Sequence, residues 1–328
     1  MTIQVSVVIG TFNRADLLGG TLRALVAQEG VESLRWEIVV VDNNSRDATP
    51  QVVAEVSTMT AIPVRYVFEP LQGLSRARNR GILAARGAII AFTDDDVIPA
   101  PDWIVQIAAA MDRWNAHGVG GRILPRWPAS PPKWLTENRQ LLSCIVVMDT
   151  EMTQLLALPL PPRPQVWGAN MAFRRELFER VGGFDPHRGI TGTTLFRGED
   201  VDLIIRALAQ GFRIAYDSRV TVHHRIGLRR MRKAYFRKFA FDNGQFGPLT
   251  ALVVRGPSFL GAPLWAYLVA AYRCLRWARF WVCRRPGAFD HELAWWGAMG
   301  ELCGYWKAWR ARRSCRPDGP QGVLDTEP

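Results

Sequence analysis

The sequence is poor in cysteine. Five are present among 328 residues (Cys144, Cys274, Cys283, Cys303 and Cys315), an odd number, and no two form a Cys-x-x-Cys pair. That pattern argues against a disulfide framework and a cysteine-built zinc site, and it suits a reducing cytoplasm. A secretory leader is not expected, because Met1-Thr2-Ile3-Gln4 carries no basic residue and the first apolar run is short. Gly-x-Gly-x-x-Gly does not follow that run, which counts against a dinucleotide oxidoreductase. Gly-x-x-x-x-Gly-Lys-[Ser/Thr] is missing too, which excludes a P-loop enzyme. Acidic residues are scarce, 30 against 41 Lys and Arg, for a net charge of +11. Residues 1–224 hold 23 of each sign, so the whole excess lies after residue 224. Seven of the 13 tryptophans lie there as well, from Trp265 to Trp309. A basic, Trp-rich, apolar tail suggests an anionic membrane surface and not a nucleic acid.

What is present, with 48% hydrophobic residues, is enough for one large core or two ordinary ones. Val5-Ser6-Val7-Val8-Ile9 reads as a parallel strand buried on both faces. A helix bearing Leu17, Leu18, Leu22, Leu25 and Val26 follows. Then come a strand over 36–41, a helix over 47–56, a strand over 64–68, a helix over 73–85 and a strand over 88–92. The β-α-β-α-β-α-β alternation predicts an α/β fold with a doubly wound, mainly parallel sheet. Ligands of such sheets sit at the carboxyl ends of the strands. Polar clusters stand at those ends: Thr11 to Arg14, Asp42 to Ser45, and Asp94-Asp95-Asp96.

The three acids cannot remain unpaired in the apolar run that precedes them. They bind a divalent cation, which takes carboxylate oxygens, or they form a solvated turn before the next helix, which Asp102 could equally cap. Residues 125–164 hold eight of the 21 prolines and read as an insertion, either a lid or acceptor loop or a plain spacer. Order resumes at Gln165. A short helix over 175–181 ends in Gly182-Gly183-Phe184-Asp185, and a Gly/Thr-rich loop over 189–194 leads to Gly198-Glu199-Asp200. Glu199 and Asp200 open a helix, where the dipole favours negative charge, so capping is one reading of them. Strands over 213–216 and 219–223 close at His224.

Taken in order, Val7-Val8-Ile9-Gly10-Thr11-Phe12-Asn13-Arg14, Val40-Val41-Asp42-Asn43-Asn44-Ser45, Gly73-Leu74-Ser75-Arg76-Ala77-Arg78-Asn79, Asp94-Asp95-Asp96, Gly182-Gly183-Phe184-Asp185, Gly198-Glu199-Asp200 and His224 resemble the family 2 inverting glycosyltransferases of GT-A fold. The resemblance covers about residues 3–240. It implies a nucleotide-sugar donor, Mn²⁺ or Mg²⁺, and a hydroxyl acceptor such as a lipid-linked saccharide or other cell-envelope glycoconjugate. It places the general base at Asp200, with Glu199 orienting it or the acceptor. The metal falls to Asp96, Asp94 and His224. Nucleotide contacts fall to Thr11, Asn13, Arg14, Asp42, Arg78, Asn79, Asp94 and Asp95, and the donor-sugar or acceptor wall to Gly168, Ala169 and Asn170. The Gln-x-x-Arg-Trp motif of the processive members is missing, which favours a single-addition enzyme. A sugar nucleotidyltransferase would need a Gly-rich, Lys-bearing loop that Gly10 to Arg14 does not supply. A non-catalytic sugar- or lipid-binding scaffold would have little use for both acid clusters.

The expected domains are a transferase over 1–240, a basic Trp-rich helical extension over 241–313 and a disordered tail over 314–328. The uncharged residues 256–272 include Pro257, Gly261 and Pro263 and reach the short edge of the roughly 17–25 residues that span a bilayer. Arg273, Arg276 and Arg279 then interleave with Trp277, Phe280 and Trp281, and a second helix is expected over 289–310. Such a mixture belongs at a membrane interface. Helices lying in or on the inner leaflet are the expectation, against a span or a helical subdomain packed on the core or at a dimer interface. The enzyme is then peripheral on the cytoplasmic face of the inner membrane, with the oligomeric state left open.

Overall fold

The computed structural model describes residues 3–161, 163, 165–186, 198–245, 247–248 and 257–314, with side chains to residue 311. The expected Gly/Thr-rich loop over 189–194, and residues 315–328 of the expected disordered tail, lie outside the described residues. The chain divides after Arg232 into two compact units.

In the first unit, β1 (Val5–Thr11), α1 (Ala15–Val26), β2 (Trp36–Asp42), α2 (Thr49–Thr58), β3 (Val64–Phe68), α3 (Leu74–Ala84) and β4 (Ile89–Asp94) follow one another. Helix α2 starts two residues later than its pattern suggests. Asp47 is held outside it, accepting from the Thr49 N–H and hydroxyl and from the Ala15 N–H that opens α1. After β4 come β5 (Val97–Pro99), α4 (Trp103–Arg113), β6 (Gly118–Arg126), α5 (Lys133–Thr136), α6 (Arg139–Cys144), β7 (Gln154–Leu155), β8 (Asn170–Arg174), α7 (Arg175–Val181), α8 (Glu199–Ala209) and β9 (Ile214–Arg225). The proline-rich stretch thus carries short elements. Asn138 makes one of them possible by accepting the N–H groups of Gln140 and Leu141 at the start of α6. Asp102 precedes α4 without capping it and accepts from the Gln106 amide instead.

The sheet runs β3-β2-β1-β4-β8-β6-β9-β5, with β7 beside β9. Strands β1, β2, β3 and β4 pair in parallel, while β8 inserts antiparallel between β4 and β6. The order reverses between β1 and β4, which is where a doubly wound sheet opens a ligand crevice. Residues of β1 and β2 are buried nearly throughout, as strands covered on both faces must be. Leu18, Leu22 and Leu25 of α1 and Trp103, Ile107 and Met111 of α4 are fully buried at helical spacing. Gly81 lets α3 lie directly on β1, since a Cβ there would overlap Val8.

The two strands expected over 213–216 and 219–223 form one, β9, whose register against β6 shifts between Gly120 and Arg122. Asp217, buried at that irregularity, accepts from Arg113 Nη1 at 2.6 Å, Trp114 Nε1 at 3.0 Å and Arg219 Nε at 2.9 Å.

In the second unit, α9 (Lys233–Gly244) is followed by a hairpin, β10 (Ser258–Phe259) and β11 (Ala262–Pro263), then α10 (Leu264–Val282) and α11 (Ala288–Ser314). The hairpin consumes the prolines of the uncharged stretch, so its helix begins only at Leu264. Among the described residues no helix is long and apolar enough to cross a membrane.

Burial alone would raise the Asp217 carboxyl, but its hydrogen bonds from Arg219 and Trp114 hold it down at about 2. A depressed carboxylate contributes stability that is present above the unfolded value and lost as pH falls through the folded one. Asp217→Ala should therefore lower unfolding free energy by about 2 kcal/mol at pH 7. Urea titrations should show that difference shrinking between pH 4 and pH 2.

Candidate functional site

Pairing register sets the site. Thr11 lies opposite Asp42 across β1 and β2, and Gly10 opposite Asp94 across β1 and β4. Three strand ends thus present polar groups at one sheet edge. On the far side, β5 pairs with β9 so that Val97 stands opposite His224. That pairing brings a residue more than a hundred positions away beside the Asp95-Asp96 turn.

The three consecutive acids have three different environments. Asp94 keeps 30% of its side chain exposed and approaches Arg78 Nη2 at 3.5 Å. Asp95 is buried, accepts from Thr11 Oγ1 and Arg14 Nη1, each at 2.9 Å, and its carbonyl accepts from Thr21 Oγ1. Burial pushes its carboxyl up to about 7, Arg14 and Thr11 opposing and the Asp96 charge reinforcing. Asp96 is buried too. His224, Arg230 and Arg14 more than offset its burial and hold it well below the usual carboxylate range. Its Oδ2 lies 3.1 Å from Arg14 Nη1, 3.5 Å from His224 Nε2 and 3.5 Å from Arg230 Nη2. Arg230 Nη1 also meets His224 Nε2 at 2.6 Å, and among the described residues the buried Nδ1 has no hydrogen-bond partner. Arg230 lies in the part of the chain after residue 224 that carries the positive excess, where the sequence does not single it out. The available signal was its position six residues after His224, in the turn Leu228–Met231.

Arg78 joins the two acid clusters. Its guanidinium is buried, with Nη1 donating to Glu199 Oε1 at 2.8 Å and Nη2 directed toward Asp94. It stacks 5.5 Å from the Phe184 ring centroid. Gly168 gives it room, because a Cβ there would overlap the guanidinium. Glu199 and Asp200 lie in the first turn of α8, whose N-terminal dipole favours them. Burial and the Asp200 charge raise the Glu199 carboxyl, against the pull of Arg78. Asp200 Oδ2 accepts from the Gly168 N–H at 3.0 Å and Oδ1 from the Val201 N–H at 2.8 Å.

The remaining expected site residues divide. Asn13 is at the sheet edge with positive φ, its N–H donating to Ser45 and its Oδ1 accepting from the Arg46 N–H. Asp42 is buried; its two oxygens accept from the Ser45 N–H and the Tyr66 hydroxyl, and that phenol is pushed up to about 12 by burial and by Asp42. Asn79 and Asn170 brace backbone. Asn79 exchanges two 2.8 Å hydrogen bonds with Phe184. Fully buried Asn170 accepts from Trp103 Nε1 and donates to the carbonyls of Arg122 and Val220. The Ala169 carbonyl accepts from Thr93 Oγ1. Among the described residues no three His, Cys, Asp or Glu side chains gather closely enough to hold a metal ion.

The model of glycosyl transferase family 2 matches residues 6–182, more than half of the chain. A glucosyl-dolichyl phosphate glucuronosyltransferase of Haloferax volcanii is 26% identical over 229 residues, covering 68% of this chain and 70% of that protein. The succinoglycan biosynthesis protein ExoM of Rhizobium meliloti is 25% identical over 248 residues, 74% of each chain. Among solved structures, the mannosyltransferase PcManGT of Pyrobaculum calidifontis, in complex with GDP-Man and Mn²⁺, superposes with a TM-score of 0.57 at 20% identity, covering 96% of this chain and 79% of that one. That likeness is one of fold, the GT-A architecture.

Removing the Arg78 charge strands two buried or half-buried carboxylates. Arg78→Met should lower unfolding free energy by about 3 kcal/mol. Glu199→Gln in the same background should recover part of it. A double-mutant cycle by urea denaturation should give a coupling of about 1–3 kcal/mol, and a coupling near zero would show that the pair does not hold the site together.

Proposed function

The chain belongs to glycosyl transferase family 2, and on that premise we propose that it moves one sugar, with inversion, from a nucleotide-sugar donor to the hydroxyl of a lipid-linked saccharide or other envelope glycan. The observation that carries this reading is Arg78, which reaches toward Asp94 with one nitrogen and binds Glu199 with the other. Inversion needs a leaving-group site and a base on opposite faces of the anomeric carbon. The two acid clusters on either end of one guanidinium supply such a pair.

The donor chemistry of the first cluster suits a divalent cation. Asp96 Oδ2 and His224 Nε2 converge on the Arg230 guanidinium, a positive group standing in for a metal ion. Carboxylate oxygen and imidazole nitrogen are ligands that Mn²⁺ accepts, and Mg²⁺ takes the oxygens. Asp96 and His224 would offer an ion one oxygen and one nitrogen, with Asp94 on the nucleotide side, and the ion would supply Lewis-acid charge for the departing diphosphate. Arg14 and Arg230 add fixed positive charge on the same side, and Arg78 guards the path between the clusters. Thr11, Asn13 and Asp42 edge the nucleotide pocket at the strand ends. On the acceptor side Asp200 takes the hydroxyl proton. The Gly168 N–H fixes its carboxylate, and Glu199 is held beside it by Arg78.

The relatives' names support the acceptor class: one acts on glucosyl-dolichyl phosphate, another belongs to succinoglycan biosynthesis. The structural neighbour's GDP-Man and Mn²⁺ support the donor class and the metal. We assign the basic, Trp-rich residues 241–313 to an anionic membrane surface, which would put the enzyme peripherally on the cytoplasmic face where a lipid-linked acceptor is met.

Nucleoside diphosphate release from a panel of nucleotide sugars, with Mn²⁺ and membrane extract, tests the reading. Asp200→Asn should lower kcat by about 10²- to 10⁴-fold with donor KM little changed. Unaltered turnover in that variant removes Asp200 as the base, and no release from any donor favours a binding scaffold. Metal removal forms a separate check. EDTA should abolish release, and Mn²⁺ or Mg²⁺ should restore it in the wild type but not in Asp96→Ala.

A further inference from the structure

Helix α10 has two unlike faces. Ala266 and Ala270 are buried, Arg273 Nη1 donates to the Ala294 carbonyl, and Trp277 stacks on Trp295 with ring centroids 5.1 Å apart. Those positions define one side, which packs on α11. At 100° per residue the opposite side carries Leu264, Leu268, Tyr272, Leu275 and Val282. All five are exposed, Leu268 and Leu275 to 71% and 70%. Trp265 borders the same stripe, and Phe259 and Leu260, also exposed, project from the hairpin that feeds the helix. A continuous apolar face of this extent on a soluble surface marks a contact surface.

Charge selects the partner. From Pro257 to Phe289 the chain has five arginines (Arg273, Arg276, Arg279, Arg284 and Arg285) and no acid. Arg276, Arg279, Arg284 and Arg285 are exposed, and Arg276 lies over the Tyr272 ring at 5.8 Å. Arg279 falls on the apolar line itself, four residues after Leu275. A long arginine can lay its stem on that line and lift its head to a phosphate level. A helix too polar to span, with one apolar side and unopposed arginines along its edges, lies in the plane of a bilayer.

We infer that the Leu264–Val282 helix, with the Phe259-Leu260 turn, is the membrane-docking face of this protein, seated at the headgroup–acyl boundary of an anionic phospholipid bilayer. The inference deepens the membrane-side reading given above. It rests on that membrane reading and is tested without catalysis, so its failure leaves the transferase reading standing, and flotation unchanged in the variants defeats the helix assignment alone. The full chain is mixed with phosphatidylcholine vesicles containing 30% phosphatidylglycerol and floated on a density gradient. Wild type should float with these vesicles, and at least tenfold less with pure phosphatidylcholine or in 1 M salt. Leu268→Ser/Leu275→Ser and Leu268→Glu/Leu275→Glu should each cut the floated fraction at least tenfold while retaining the far-UV circular dichroism spectrum and the thermal midpoint. A wild type that stays at the bottom of the gradient overturns the inference, as does flotation unchanged in both double variants. A dimer in solution that both double variants dissociate, without flotation of wild type, would reassign the face to a second copy of the chain.

Discussion

The first unit's chemistry depends on one buried guanidinium. Burying Arg78 is unfavourable unless its charge is matched and its donors are used. Glu199 matches it at 2.8 Å, Asp94 stands at 3.5 Å, and the face of Phe184 takes up the flat side. Each partner comes from a different part of the chain, so the cation acts as a three-way joint between α3, the end of β4 and the start of α8. Two glycines make the joint sterically feasible. Gly81 lowers α3 onto β1, and Gly168 vacates the volume that the guanidinium fills. Asn79, the next residue, clamps the backbone of Phe184 and so fixes the aromatic surface against which Arg78 rests. Loss of this joint would leave Glu199, already raised by burial and by Asp200, with no reason to stay ionised.

A second charge centre is built on the same logic but with more compliant partners. Asp95 and Asp96 are adjacent, buried and of like sign, an arrangement that persists only if cations are shared between them. Arg14 lies against both, and Arg230 and His224 complete the shell around Asp96. The contrast in the directions of their shifts follows: Asp96 has three positive or polarisable neighbours and stays low, whereas Asp95 has one and is pushed up. Arg14 and Arg230 are the more exposed members, at 41% and 21% of their side chains. Being partly open to solvent, they are the cations of this cluster that an outside anion meets first. The rigid joint at Arg78 and this looser cluster therefore suit different tasks, one holding geometry and the other receiving charge.

Much of this was legible in the sequence because the parallel strands are continuous β-branched runs and the polar clusters end them. Val64–Phe68 was readable to the residue, and Asp94 to Asp96 were placed at a strand end from the cost of burying charge alone. The antiparallel insertion of β8 was not legible. Nothing in Asn170-Met171-Ala172-Phe173 distinguishes a strand that pairs one way from one that pairs the other. The internal hydrogen bonds of Asn79 to the Phe184 backbone, and of Asn170 to two carbonyls and the Trp103 indole, are roles that only tertiary contacts reveal. Arg230 was hidden for the opposite reason. Its neighbours Arg229 and Arg232 are also arginines, and only the turn after β9 singles out the one aimed at Asp96.

The distribution of charge separates two kinds of arginine. In residues 1–224 the signs balance, and the arginines are largely consumed internally: Arg14 by Asp95, Arg65 by Glu37, Arg78 by Glu199, Arg113 by Asp217. Such pairs fix geometry and leave little long-range field. Between Pro257 and Phe289 the balance is broken completely, with five arginines and no carboxylate in the segment. Folding gains little from unopposed like charges, which repel one another. Their retention beside an exposed row of Leu, Tyr and Val is intelligible when the compensating anions come from outside. Helix α10 therefore resembles Arg78 in needing a negative partner and differs in not containing it, and on the proposed docking a surface of lipid phosphates would supply that partner in the plane the apolar row requires.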